Sequence, residues 1–235
     1  MGKCIAGADG CRTGWVIVRE DDPGAVLSWQ VVPSLQALFE GPAAPSTLAI
    51  DVPIGLPDLG ARYCDTAARS LLGRGKASSV SPAPIRPVLA ASSHAEASAI
   101  RHAAEGKRMS IQAWAIIPKI RDVDAFLRSD ADARSRVHEV HPEVCFYFMA
   151  GRQPMSTSKK TAAGRAERLT LLTEAFRSEV EAALRDLRRL GYGADDLLDA
   201  FAELWTARRI RDGLAETISS LPSRDRLDLL MKIVA

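Results

Sequence analysis

The chain has 235 residues, of which 47% are hydrophobic and 26% charged, and a formal net charge of +2. These proportions exclude a disordered chain, and the length allows a large buried core. No apolar run approaches the roughly 20 residues that a membrane-spanning helix needs, and the weak positive charge neither requires nor rules out a nucleic-acid partner.

The first third reads as strands. Cys4 to Ala8 is a short apolar run that stops at the turn signal Asp9-Gly10, and Gly14 to Val18 (GWVIV) is a second strand. Ala25 to Val32 makes a third, after which Ser34 is placed to cap a short helix running through Phe39. Thr47 to Ile50 (TLAI) is apolar throughout, as a strand buried on both faces should be, and it ends at Asp51-Val52-Pro53. Helical spacing runs from Leu59 to Leu72. Residues 73–93, rich in Ser, Pro, Gly and basic side chains, then predict a long loop of the kind that is usually functional or mobile.

Helices are expected over 93–105 and 110–128, followed by a short strand, Val137 to Val140. The string His141-Pro142-Glu143 then opens another helix, since Pro suits a first helical turn. A polar loop from Gly151 to Gly164 precedes one long amphipathic helix over 165–190 and a turn at Gly191-Tyr192-Gly193. Asp195, read as the N-cap, starts a last helix to about Asp212, and the tail from Asp225 to Val234 is a strand or a short helix. Neither an internal repeat nor a linker divides the chain, so one domain over 1–235 is expected. The four cysteines form no CxxC pair, and no apolar segment of the signal-peptide kind follows Lys3. A cytoplasmic protein with reduced thiols and no zinc site is the expectation.

Two groups of acids carry the chemistry. Asp9 and Asp51 each follow an apolar strand, and strand ends are where ligands gather in α/β sheets. The string DDLLDA places Asp196 and Asp199 one turn apart on a helix whose apolar residues extend well beyond one stripe, through Thr206, Ala207 and Ile210. A buried helix seldom carries unpaired aspartates unless a metal or a partner answers them. Glu143 and His141 are secondary candidates. Their ordinary reading is a helix-terminus acid and a surface residue at a strand end. Lys119, Lys159, Lys160 and Arg168 could contact phosphates, although basic runs such as these are more often solvated surface.

The strings GADGCRTGWVIV, IDVPIGLPD, RYCDTAARSLLG, IIPKIRDVD, EVHPE, SKKTAAGRAER and DDLLDAFAELWTA resemble, in order and over nearly the whole chain, the domain of unknown function 429 family. Members of that family are predicted RNase H-like nucleases. The DxxDA step at Asp196–Ala200 is also similar to the last active-site helix of Holliday-junction resolvases. The resemblance implies an α/β fold of the RNase H-like class: a mixed sheet with an antiparallel meander of three strands, parallel strands after it, and helices on both faces. It also implies that Asp9, Asp51, Asp196 and Asp199 are the catalytic, metal-binding acids.

The chemistry expected is nuclease hydrolysis of phosphodiesters by two Mg²⁺ or Mn²⁺ ions about 3.5–4 Å apart, with Asp9 bridging them. Hard cations of this kind prefer carboxylate oxygen. The substrate would be nucleic acid, DNA or RNA, although an aromatic content of 6% offers no evident stacking platform. A catalytically silent RNase H-like binding or regulatory module is the alternative. A phosphotransferase of the actin and sugar-kinase type is set aside, because the chain is too short for the two halves such enzymes need.

Overall fold

Alternation along β1 (Ile5–Cys11), β2 (Gly14–Glu20) and β4 (Thr47–Ile50) builds the centre of the protein. Ala6, Ala8, Trp15, Ile17, Leu48 and Ile50 are fully buried on one face of these strands. Ile5, Val16, Val18 and Ala49 belong to the core on the other. With β3 (Ser28–Val32) and β5 (Val137–Glu139) they form a five-stranded sheet in the order β3-β2-β1-β4-β5. The pairs β1–β2 and β2–β3 are antiparallel, whereas β1–β4 and β4–β5 are parallel. This mixed sheet, flanked by helices, is the architecture expected of an RNase H-like fold. The computed structural model describes residues 4–41, 44–190, 192–219 and 221–235, with the backbone alone for 187–190.

The chain groups into two compact units: Met1–Asp51, Ser135–Thr217 and Val234–Ala235 in one, Val52–Arg134 and Ile218–Ile233 in the other. The first contains the sheet. Its helix α1 (Leu35–Glu40) is capped as expected, with Ser34 accepting the Ala37 amide, and buries Leu35 and Leu38. The second contains α2 (Tyr63–Lys76), α3 (His94–Glu105), α4 (Ile111–Ala115) and α5 (Ile117–Ser129). It also holds the small hairpin of β6 (Ser223–Arg224) and β7 (Leu230–Met231), so the tail is strand-like near its end. Between the units in sequence lies α6 (Ala133–Arg136).

Several expectations are corrected. Residues 73–93 are not one open loop: α2 continues through Gly73, whose φ of 70° kinks it, and short 3-10 turns occupy Ala77–Ser79 and Arg86–Ala90. The helix expected over 110–128 is two, because Pro118 has no amide to continue α4 and instead fits the first turn of α5. The helix expected over 165–190 is likewise two, α8 (Ala162–Phe176) and α9 (Glu179–Leu190), separated at Arg177 with a φ of 54°. Gly191, in the expected turn, lies outside the described residues.

After β5 come α7 (Pro142–Met149) and, after α9, the long α10 (Ala194–Arg211). Helix α10 is buried through Leu197–Leu204, Thr206 and Ala207 and lies across β1, β2 and β4. Its closest approach is at Gly7, where any Cβ would overlap the Ala200 carbonyl and the Leu204 amide. Only glycine permits this crossing. All four cysteines are buried and free, and among the described residues no helix is long and apolar enough to cross a membrane.

Candidate metal centre

The parallel register of β1 on β4 runs from Ile5 beside Thr47 to Ala8 beside Ile50. One step further are Asp9 and Asp51: Asp9 does not sit at a turn as expected but inside β1, which goes on pairing with β2 through Cys11, whereas Asp51 lies just past the end of β4. Asp9 falls on the face shared by Ile5 and Gly7, because side chains alternate along a strand, and it points toward α10. Contact at Gly7 brings the backbone of α10 down onto this face, and Glu203, one turn after Asp199, arrives beside the two aspartates. One carboxylate oxygen from each of Asp9, Asp51 and Glu203 lies within 4.8 Å of the other two.

Glu203 is the group least easily explained without a cation. It is 0% exposed, and neither of its carboxylate oxygens makes a hydrogen bond within normal geometry. Burial pushes its carboxyl well above the usual range, and Asp9, Asp51 and Asp199 push it further, against a slight opposing pull from the Ala8 amide. Asp9 is also held well above the usual carboxylate range, by burial first and then by Asp199, Asp51 and Asp196. Unpaired carboxylates of this kind are costly in a protein interior. A divalent cation with oxygen preference would relieve that cost, so the donor set fits Mg²⁺ or Mn²⁺.

Asp199 faces the same space but is answered. The Lys159 ammonium donates to its Oδ2 at 2.6 Å. Burial raises the Asp199 carboxyl, Lys159 lowers it, and Asp51 and Glu143 raise it again, leaving it at about 6. Burial alone would lower the Lys159 ammonium, yet Asp199, Asp51 and Asp9 together hold it above its ordinary value. Lys159 thus feels three of the acids at once.

The other sequence candidates fall elsewhere. Asp196 accepts the Gly193 amide at 3.0 Å, closing the first turn of α10 from within, and acts on Asp9 through its charge. Gly193, not Asp195, is the N-cap; Asp195 lies inside the helix and pairs with Arg165 at 3.3 Å. This corrects the expected cap: the Asp196 carboxylate reaches back to the free amide ahead of the helix, which the positive helix end favours. His141 caps α7, its Nδ1 accepting the Glu143 amide at 3.2 Å. Glu143 is buried against the Arg168 guanidinium, its Oε2 otherwise unmet. Arg168 is itself buried, with Nη1 donating to the Gly164 carbonyl at 2.9 Å. Lys160 is exposed, and Lys119 lies on α5 in the second unit.

The family described as Protein of unknown function (DUF429) matches residues 7–224. The chain belongs to the DUF429 family. No curated protein and no solved structure matches it.

In this DUF429 protein the one member of the acidic group that sequence reasoning missed is Glu203. The signal was present: Asp196, Asp199 and Glu203 follow one another at three and then four residues, which keeps them on one helix face. That face does continue through a glutamate, and not only through Thr206, Ala207 and Ile210. A lone acid within the string AFAELW is the local mark of a buried carboxylate.

Proposed function

We propose that this protein is a metal-dependent nuclease that hydrolyses phosphodiester bonds of nucleic acid, with Asp9, Asp51 and Glu203 holding Mg²⁺ or Mn²⁺. The observation that carries this reading is the fully buried, unpartnered carboxylate of Glu203 beside two aspartates from adjacent parallel strands. An ion held by these three carboxylates would supply Lewis-acid polarisation of a phosphoryl oxygen and activation of water near neutral pH. The protein's own groups do the rest. The sheet and α10 already bring one oxygen of each of the three carboxylates within 4.8 Å of the other two. Lys159 uses one of its three N–H donors on Asp199 and is 41% exposed at its side chain, leaving donors for a phosphate oxygen. Exposed Lys160 extends the same basic loop. Asp196, which the sequence also nominates, contributes negative charge to the site while closing the helix start.

The test is cleavage by purified protein in Mn²⁺ or Mg²⁺, over single-stranded, duplex, hybrid and branched DNA and RNA. Metal-dependent cutting that disappears in Asp9→Asn and Glu203→Gln supports the reading. The Lys159–Asp199 ion pair favours a second reading, an RNase H-like module that binds without cutting. Metal binding with no cleavage of any substrate in the panel would select that one.

A further inference from the structure

Lys159 reaches Asp199 from a loop whose backbone is braced at several points. Glu167 accepts the Ser156 amide at 2.7 Å, the Thr157 amide at 3.1 Å and the Thr157 hydroxyl at 2.7 Å. Those bonds hold the Glu167 carboxyl down at about 2 despite an opposing effect of burial. The Arg168 guanidinium, anchored on Glu143, also reaches the Thr157 carbonyl at 3.4 Å. Gly164 lies against the Ser158 carbonyl so closely that a Cβ would collide with it. Thr161 caps α8 by accepting the Gly164 amide at 3.0 Å, which fixes the far end of the loop.

A surface lysine that meets an acid by chance needs no such foundation. Here the residues on both sides of Lys159 are tied down, and its ammonium is delivered to a carboxylate that is 5% exposed. We propose that Lys159 is a built-in cation that takes the place of the second metal ion, so that the centre formed by Asp9, Asp51 and Glu203 binds a single divalent ion. This inference rests on the metal-dependent reading above and narrows the two-ion expectation drawn from the sequence. The charges support it. Asp199 and Lys159 neutralise each other, and one divalent ion leaves the three remaining carboxylates with a small net negative charge. A second divalent ion at Asp199 would meet the ammonium as a like charge in a poorly solvated site.

The experiment is a Mn²⁺ titration of the full chain by calorimetry, with electron paramagnetic resonance of the bound ion to detect magnetic coupling between neighbours. Wild type is expected to bind one uncoupled ion per chain. Lys159→Met should bind two coupled ions, Lys159→Arg should still bind one, and Lys159→Met with Asp199→Asn should return to one. Circular dichroism checks that each variant is folded, and Lys159→Gln, which should also bind two coupled ions, replaces the methionine variant if that one does not fold. Two ions in the wild type, or one in folded Lys159→Met, would overturn the inference while leaving the metal-dependent reading intact. No bound ion in the wild type would overturn both.

Discussion

Asp225 in the second unit and Glu203 in the sheet unit are both fully buried acids, yet their surroundings are opposite. Asp225 accepts the amides of Leu56, Leu227 and Leu229 at 2.9–3.0 Å and pairs with the Arg86 guanidinium. Burial raises its carboxyl, but the Leu56 amide and Arg86 outweigh this and leave it below the usual range. Nearby in the same unit, Asp65 pairs with Arg62 and accepts the Ala83 amide at 2.9 Å. Glu203 has no such answer, and its carboxyl moves the other way. Acids that are fully met by protein groups tie loops and helices together. An acid left unmet, at a cost to stability, is where an external cation has something to gain.

The largest effect should come from turning the paired kind into the unpaired kind. Arg86→Met removes the charge that Asp225 and Asp124 share, leaving Asp225 its three amides and Asp124 the Arg128 guanidinium at 3.7 Å, and should lower stability by about 3–5 kcal/mol in urea unfolding. A loss below about 1 kcal/mol would show that the amide bonds to Asp225 suffice alone. Next in size is Gly7→Ala, where the added methyl must lift α10 from β1. We expect a destabilisation of roughly 3 kcal/mol together with weaker Mn²⁺ binding, as Glu203 is displaced from Asp9. Unaltered Mn²⁺ affinity in that variant would separate the metal site from the helix crossing.

Adding Mn²⁺ at about a hundred times its dissociation constant should stabilise wild type by about 2.7 kcal/mol. Asp9→Asn and Glu203→Gln should gain far less, as read by thermal unfolding. The smallest effect is in pH dependence without metal. A carboxyl raised in the folded state binds protons more tightly there than in the unfolded chain, so stability falls as pH climbs from the ordinary value of 3.8 to about 6 for Asp199, and likewise as pH climbs above the ordinary 4.5 for Glu203. Asp225 has the reverse sign: its stabilisation is present above 3.8 and is lost as pH drops through its lowered value. Glu203→Gln should therefore exceed metal-free wild type by on the order of 1 kcal/mol near neutral pH, with the gap widening as pH rises above the ordinary glutamate value of 4.5. A gap that does not change with pH would mean that Glu203 is charged and already paired.

The apolar strands and the Ser34 cap were the parts most legible in the sequence, whereas the cap expected at Asp195 falls at Gly193. Thr47–Ile50 is apolar on both faces, and Ser34 stands where an N-cap must, so both read directly from residue type. The helix breaks at Ile116 and Arg177 were not legible in the same way. Pro118 fits the start of a helix as well as a kink, and Arg177 carries no turn signal at all.

The same division holds at the site. Sequence alone marked Asp9 and Asp51 as acids that follow apolar runs, and a late helix as carrying acids on one face, because period and residue type are local properties; that Asp9 lies within β1, which pairs on through Cys11, depended on the partner strand. Tertiary structure decided which of those acids meet. Glycine at position 7 lets α10 cross β1 at backbone contact, and that crossing brings in Glu203. The first turn of the helix keeps Asp196 for its own amide, and a braced loop supplies Lys159 to Asp199. No spacing in the chain encodes these distances, since each depends on where two remote segments come to rest.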